Sequence, residues 1–196
     1  MQTTTTSTTG IFNLDPCCSP WEQRLNTLLS VGLAAGADLV EVFLERTDHL
    51  GVLAEQDKIT SVSPAFGMGA GIRVFRGARD GFVSTNDLSD TGLTEALDQA
   101  LAMLQLERST LSGSNSFQGL SALRNFAATK NDWLERTPNL DVITQRLLEG
   151  TQCLQRLGQH LEVRRGNFSR DWQEVLVAAS DGTFARDIRL HQSSGL

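Results

Sequence analysis

Residues 171–189, DWQEVLVAASDGTFARDIR, constrain the fold more than any other stretch of this chain. Two β-rich runs flank Ser180-Asp181-Gly182-Thr183. Asp-Gly between such runs is a hairpin signal, because both residues tolerate the positive φ of a type I′ turn. The spacing predicts two antiparallel strands joined at Asp181-Gly182.

The rest of the chain supplies further strands and amphipathic helices. From Trp21, the residues Leu25, Leu28, Leu29, Gly32 and Leu33 form one helical stripe, and Gly36 is placed to end the helix. Residues 39–45 alternate as a strand, with Val40, Val42 and Leu44 on one side and Leu39, Glu41, Phe43 and Glu45 on the other. A second strand is predicted over 50–55, a turn at Gln56-Asp57-Lys58 and a return over 59–62. A fourth covers 69–75, with Ile72 and Val74 on one side, and the turn RGARDG leads into Phe82-Val83-Ser84. Such a meander is antiparallel.

Leu93, Ala96, Leu97, Ala100, Leu101 and Leu104 then recur at helical spacing, after N-cap candidates in 86–90. Their apolar face is expected to lie on the meander. Residues 109–138 lack periodicity, with Trp133 and Leu134 placed to anchor a short turn or helix. A third helix starts near Leu140, carries Ile143, Leu147, Leu154 and Leu157 on its stripe and ends at Gly158. A strand over 161–165 follows.

The order repeats. Each of two units, 21–108 and 139–196, reads as helix, strand and hairpin, joined by the irregular connection over 109–138. A Thr- and Ser-rich tail over 1–20, too poor in apolar residues to pack, precedes them and is expected to be disordered. Helices among antiparallel hairpins define an α+β fold: an antiparallel or mixed sheet with helices packed on one face.

Charge and composition narrow the function. The net charge is −6, against the basic surface that nucleic-acid binding needs. Arg73, Arg76 and Arg79 are the candidate basic patch and read as solvated arginines on a hairpin. No apolar run approaches the roughly 20 residues of a membrane span. MQTTTTSTTGIF has no basic, apolar leader pattern, so a cytoplasmic location is the default. Cys17, Cys18 and Cys153 are an odd set with one adjacent pair and no metal-ligand spacing; they read as reduced thiols.

The side chains that carry chemistry do not assemble in the sequence. Gly67, Gly69 and Gly71 form GxGxG, but the strand-like IRVF follows where a phosphate loop needs a helix. These glycines are read as room for another backbone or a ligand to approach the sheet. His49, His160 and His191 show no HExxH or HExxxH spacing. Ser84 stands where a helix cap is expected rather than on a nucleophile elbow. Asp38 and Glu41 fall on opposite sides of their strand and make no carboxylate pair. No catalytic or metal-ligating residue is assigned, and substrate-binding residues are left open.

Three pieces together carry a resemblance: GADLVEVFLER, GMGAGIRVFRGARDGFVSTNDLS with the helix after it, and EVLVAASDGTFARDIR. Their wording and order resemble the N-terminal domain of the TldD/PmbA family of metallopeptidases, and the last piece resembles the TldD branch. The resemblance covers about 25–189 and is weakest over 109–138. It implies an N-terminal α/β domain ahead of a mostly β catalytic domain, in which TldD-type members hold zinc around HExxxH. It also implies action on extended peptides, in a complex with a PmbA (TldE)-type partner subunit or a second copy of the chain. HExxxH is absent here, so no ligand is carried over to any position. The zinc is expected in a C-terminal domain beyond Leu196, and this chain alone is expected to be inactive, contributing to assembly and peptide enclosure. A freestanding peptide- or protein-interaction module is the alternative. A gyrase- or nucleic-acid-associated modulator, after the family's older name, is the third.

Overall fold

The computed structural model describes residues 20–108, 117–126, 138–157 and 162–196. Cys17, Cys18, Trp133, Leu134, Gly158, His160, Leu161 and nearly all of the tail lie outside them, as does most of the 109–138 connection. The elements are α1 (Pro20–Ala34), β1 (Leu39–Glu55), β2 (Lys58–Arg76), β3 (Arg79–Thr85), α2 (Asp90–Met103), β4 (Arg124–Asn125), α3 (Leu140–Leu157), β5 (Arg165–Ala179) and β6 (Phe184–Gly195). The fold is α+β, with one six-stranded mixed sheet in the order β3-β2-β1-β5-β6-β4. β4 runs parallel to β6, with Arg124 opposite Ala185.

Strand pairs that the sequence predicts as separate are continuous. β1 joins the stretches 39–45 and 50–55 through Thr47-Asp48-His49, and β2 joins 59–62 and 69–75 through Pro64. β5 begins at Arg165 and runs to Ala179 in one piece. β1 and β5 are antiparallel: Gln56 N–H donates to Arg164 O (3.0 Å) at one end, and Ser180 N–H to Val40 O (2.9 Å) at the other.

The type I′ geometry expected at Asp181-Gly182 is found at the other hairpin. At Gln56-Asp57 both residues take positive φ, 51° and 63°, as a type I′ turn demands. At the Asp181-Gly182 tip only Gly182 does, with φ 96°. Gly182 N–H donates to Ala179 O (3.0 Å) and Ala179 N–H to Thr183 O (2.9 Å). That is a three-residue loop, a turn closed by one left-handed residue, rather than the two-residue type I′ loop. Asp181 keeps a normal φ because its carboxylate accepts the Thr183 N–H (2.8 Å), a bond that also holds its pKa below the usual range. Gly182→Val would place a β-branched residue at φ 96°, with its Cβ 3.2 Å from Ser121 Oγ. The expected loss is about 1–3 kcal/mol, read as a lower urea midpoint; an unchanged midpoint would mean the tip adopts another turn.

The chain divides into two compact units, each drawn from three stretches. The first comprises Met1–Val42, Gly71–Ala122 and Ala178–Phe184. Its α1 stripe is buried as the spacing predicts, from Trp21 through Leu25, Leu28, Leu29, Gly32 and Leu33. Gly36, at φ 96°, closes the helix: its N–H donates to Leu33 O and the Ala37 N–H to Gly32 O, the paired bonds of a Schellman cap. Ser89 caps α2 by accepting the Gly92 N–H at 3.1 Å. A side-chain hydrogen bond with Ser89, together with the Ser89 N–H that Asp87 accepts in turn, lowers the Asp87 pKa. Ser84, expected near the cap, lies within β3 instead. Leu93, Ala96, Leu97, Ala100, Leu101 and Leu104 are all buried.

The second unit comprises Phe43–Ala70, Leu123–Val177 and Ala185–Leu196. Asn139 opens α3, its side chain accepting the Val142 N–H (3.1 Å). Leu147 then packs on Val52 and Ala54, with Leu50, Ile59, Ile143 and Phe168 around them. Thr151, fully buried, donates to Asp57 (3.2 Å), and Arg164 pairs with the same carboxylate (3.2 Å). The type I′ tip is thus tied to the helix and to the residue preceding β5.

Candidate functional site

Alternation along β1 and β5 places charge where the pattern elsewhere places core. The buried positions of β1 are all even-numbered: Val40, Val42, Leu44, then Arg46, then Val52 and Ala54. Along β5 the even positions Arg170, Trp172, Glu174, Leu176 and Ala178 are buried in the same way. Arg46 is 4% exposed, and Arg170 and Glu174 are each 3% exposed. Charges are found at such depth only when paired or when they serve a ligand.

Glu174 is matched: Arg186 Nε (2.7 Å) and Nη2 (2.5 Å) converge on one of its carboxylate oxygens. Arg46 is matched less well. Its Nε lies 3.5 Å from Asp48 Oδ2, beyond good hydrogen-bond geometry, and makes no hydrogen bond among the described residues. The Phe66 ring lies over its guanidinium at 5.1 Å, a cation–π contact.

Beside these residues opens a cleft of about 360 Å³, lined by Asp48, His49 and Leu50 of β1, Pro64, Ala65 and Phe66 of β2, Arg170 and Trp172 of β5, and Pro138. It is mostly apolar with a few polar groups, the usual make-up of a small-ligand site. At its rim His49 Nδ1 meets Asp171 Oδ1 at 2.7 Å across the β1–β5 pair. Phe66 is 54% exposed, Trp172 buried.

The cleft wall continues into an open strand edge. β3 has seven residues against nineteen in β2, so the first half of β2 has β1 on one side and, among the described residues, no strand on the other. Val62 and Phe66 are exposed on this edge. Pro64 lacks an N–H and is tolerated where no neighbouring strand needs that donor. Arg165 opens β5, which lies between β1 and β6 and so presents no free edge.

The other sequence candidates disperse. Gly67 and Gly71 make room for neighbouring side chains, not for a backbone or ligand: a Cβ would fall 2.7 Å from Thr47 Oγ1 at Gly67 and 3.0 Å from the Phe82 ring at Gly71. Asp38 accepts the Gly77 N–H at 2.6 Å in a turn. Arg73 pairs with Asp80 (2.9 Å) and lies over Phe75, while Arg76 and Arg79 are exposed. His49 enters the cleft rim, and His191 is an exposed residue of β6. Among the described residues no three His, Cys, Asp or Glu side chains are grouped to hold a metal ion, so they do not fit a zinc site. No described helix is long and apolar enough to cross a membrane. The sequence argument missed Arg46, Arg170 and Glu174, because alternation was followed only through its apolar members.

Comparison with known proteins gives this geometry a context. Residues 40–104, which span β1 from Val40 through β2 and β3 to the end of α2, match the family model described as PmbA/TldA metallopeptidase domain 1. Among curated proteins, no sequence matches. The fold is similar to that of TldE from Thermococcus kodakarensis, at TM-score 0.63 and 18% identity over 87% of this chain. It is also similar to a candidate modulator of a DNA gyrase from Thermotoga maritima, at TM-score 0.64 and 10% identity over 89%. The chain covers 37% and 38% of the lengths of those two proteins. At such identities the likeness speaks to fold alone.

Proposed function

We propose that this chain serves as the non-catalytic first domain of a TldD-type zinc metallopeptidase that acts on extended peptides. In this reading the domain helps to enclose the peptide and to assemble with a TldE-type partner subunit in the cytoplasm, and the zinc and its ligands belong to another domain. The match of residues 40–104 to a metallopeptidase first domain supports the family. The TldD branch rests on the wording of residues 174–189.

The observation that supports the peptide role is the edge along the first half of β2, on whose outer side no described strand pairs. Unpaired N–H and C=O groups on an exposed strand are a template for an extended chain, which adds to the sheet by main-chain hydrogen bonds. Pro64 removes one donor from that ladder, so an incoming strand forgoes one bond there and pairs on either side of it. Val62 and Phe66 offer apolar contact to alternate side chains of the guest.

The test is a titration of the full chain with an unstructured ten-residue peptide amidated at its C-terminus, followed by amide NMR. Residues 58–70 are expected to shift and to gain protection from exchange. The same mixture with added zinc is expected to leave the peptide uncut. Absence of shifts at any strand would remove direct peptide binding from the domain, and chelator-sensitive cleavage would remove its non-catalytic assignment.

A further inference from the structure

Three side chains of the second unit, Asp171 of β5, His49 of β1 and Ser63 of β2, stand on three strands of the sheet. His49 Nδ1 meets Asp171 Oδ1 at 2.7 Å. A carboxylate only accepts, so Nδ1 carries the proton, and Nε2 of the neutral ring keeps a lone pair. The His49 ring makes no other hydrogen bond among the described residues. Gly51 lies beside that nitrogen: a Cβ there would stand 3.3 Å from His49 Nε2 and 3.9 Å from Ser63 Cβ. The missing side chain leaves an open space bordered by both a basic nitrogen and a serine. Ser63 is exposed, and its Oγ lies 3.0 Å from Ser61 Oγ. The His49 and Asp171 side chains are 40% and 59% exposed, so a reagent in solution can reach all three groups.

We propose that Asp171, His49 and Ser63 form a nucleophile relay, and that Ser63 is a modification site that takes an acyl group from an activated ester. This goes beyond the peptide-enclosing reading and rests neither on it nor on zinc. A carboxylate, an imidazole and a hydroxyl in that order make a serine reactive on unrelated folds. Asp171 is a positioning residue, which fixes the tautomer and orientation of the ring. His49 is the base. Ser63 supplies the oxygen, and rotation about χ1 into another staggered well swings Oγ from Ser61 over the glycine. Contacts of this kind are often long before a substrate is present and tighten with it. In the step, Ser63 gives its Oγ proton to His49 Nε2, a bond forms between Oγ and the acyl carbon, and the carbon–oxygen bond of the ester breaks. The leaving oxygen keeps the electron pair of that bond and takes the proton from Nε2. The products are acyl-Ser63 and a free alcohol.

The test is to incubate the full chain with p-nitrophenyl acetate and to map the acetylated positions by mass spectrometry over time. Ser63 is expected to acquire an acetyl group about a hundredfold faster than in the urea-unfolded chain, the acceleration a positioned base supplies. A chelator is expected to leave that rate unchanged. His49→Gln is expected to bring the Ser63 rate down to that of the unfolded chain. Asp171→Asn is expected to lower it about tenfold or more, and Asp171→Glu, which keeps the acceptor, to restore part of it. Urea midpoints report whether the variants fold, and the comparison of folded with unfolded chain stands without them. Acetylation of Ser63 no faster than in the unfolded chain would overturn the relay, as would an unaltered rate in folded His49→Gln. Loss of the reaction on chelation would overturn its independence of metal. The peptide titration above reads the strand edge alone, so either proposal can fail without the other.

Discussion

Leu97→Asp is expected to leave the chain largely unfolded at room temperature. Leu97 has no exposed surface, and it sits at the centre of the α2 stripe between Leu93 and Leu101. Its Cδ1 reaches within 3.4 Å of where a Cβ on Gly32 would stand, so it meets α1 at a glycine that leaves no space for rearrangement. Removing a buried leucine side chain by itself costs about 2–5 kcal/mol. An aspartate at that depth adds the burial of a charge with nothing opposite it, and the group either takes up a proton or drives the helix off the sheet. A combined loss of about 5 kcal/mol matches the whole stability of many domains. Chemical denaturation followed by circular dichroism reads this directly. Leu97→Met, which keeps the volume, is expected to lose less than about 1.5 kcal/mol. A near-native midpoint for Leu97→Asp would mean that the α2 face is turned away from the core.

The same residue shows what in this fold was legible from sequence. A 3.6-residue period survives local exceptions, so the stripes of α1 and α2 and the start of α3 were readable from leucines alone. Caps were readable where the residue's own backbone freedom decides, as at Gly36 with its φ of 96°. Strands were harder, because turn-forming residue types also occur inside long strands once their polar groups find partners. Asp48 and His49 look like a break, yet His49 bonds Asp171 on the adjacent strand and β1 continues. The parity of Val40, Val42 and Leu44 carries straight on to Val52 and Ala54, a signal that the two stretches are one strand. The turn types depended on which residue could take a left-handed φ, and Asp181 avoids it through a bond to Thr183 that no dipeptide rule encodes. The cleft was the least legible part. Arginine and glutamate at buried positions read as surface until the neighbouring strands are placed, and β5 lies more than a hundred residues from β1 in sequence.

Gly81→Val is expected to be the second most damaging single change, for a reason opposite to the loss of a side chain. Gly81 lies in β3, and a Cβ built there would stand 2.4 Å from the carbonyl oxygen of Ala100 and 3.1 Å from Met103 Cβ, both on α2. Its φ is not in the left-handed region, so the backbone itself would accept any residue. The contact decides the outcome. A backbone carbonyl inside a helix cannot rotate aside as a flexible side chain can, so α2 must lift from β3 as a unit and carry its buried leucines with it. A β-branched residue favours a strand by at most about 1 kcal/mol over the full range of side chains. Overpacking against a rigid neighbour costs about 3 kcal/mol, so the clash outweighs the propensity. The variant is expected to show a lowered denaturation midpoint together with faster amide exchange along residues 97–103, at the end of α2 nearest the insertion. Gly81→Ala is expected to lie between it and the unaltered chain, since its single methyl meets the same carbonyl. Stability of Gly81→Val within about 0.5 kcal/mol of the unaltered chain, the range of an ordinary surface substitution, would show that α2 does not rest on β3 at this point.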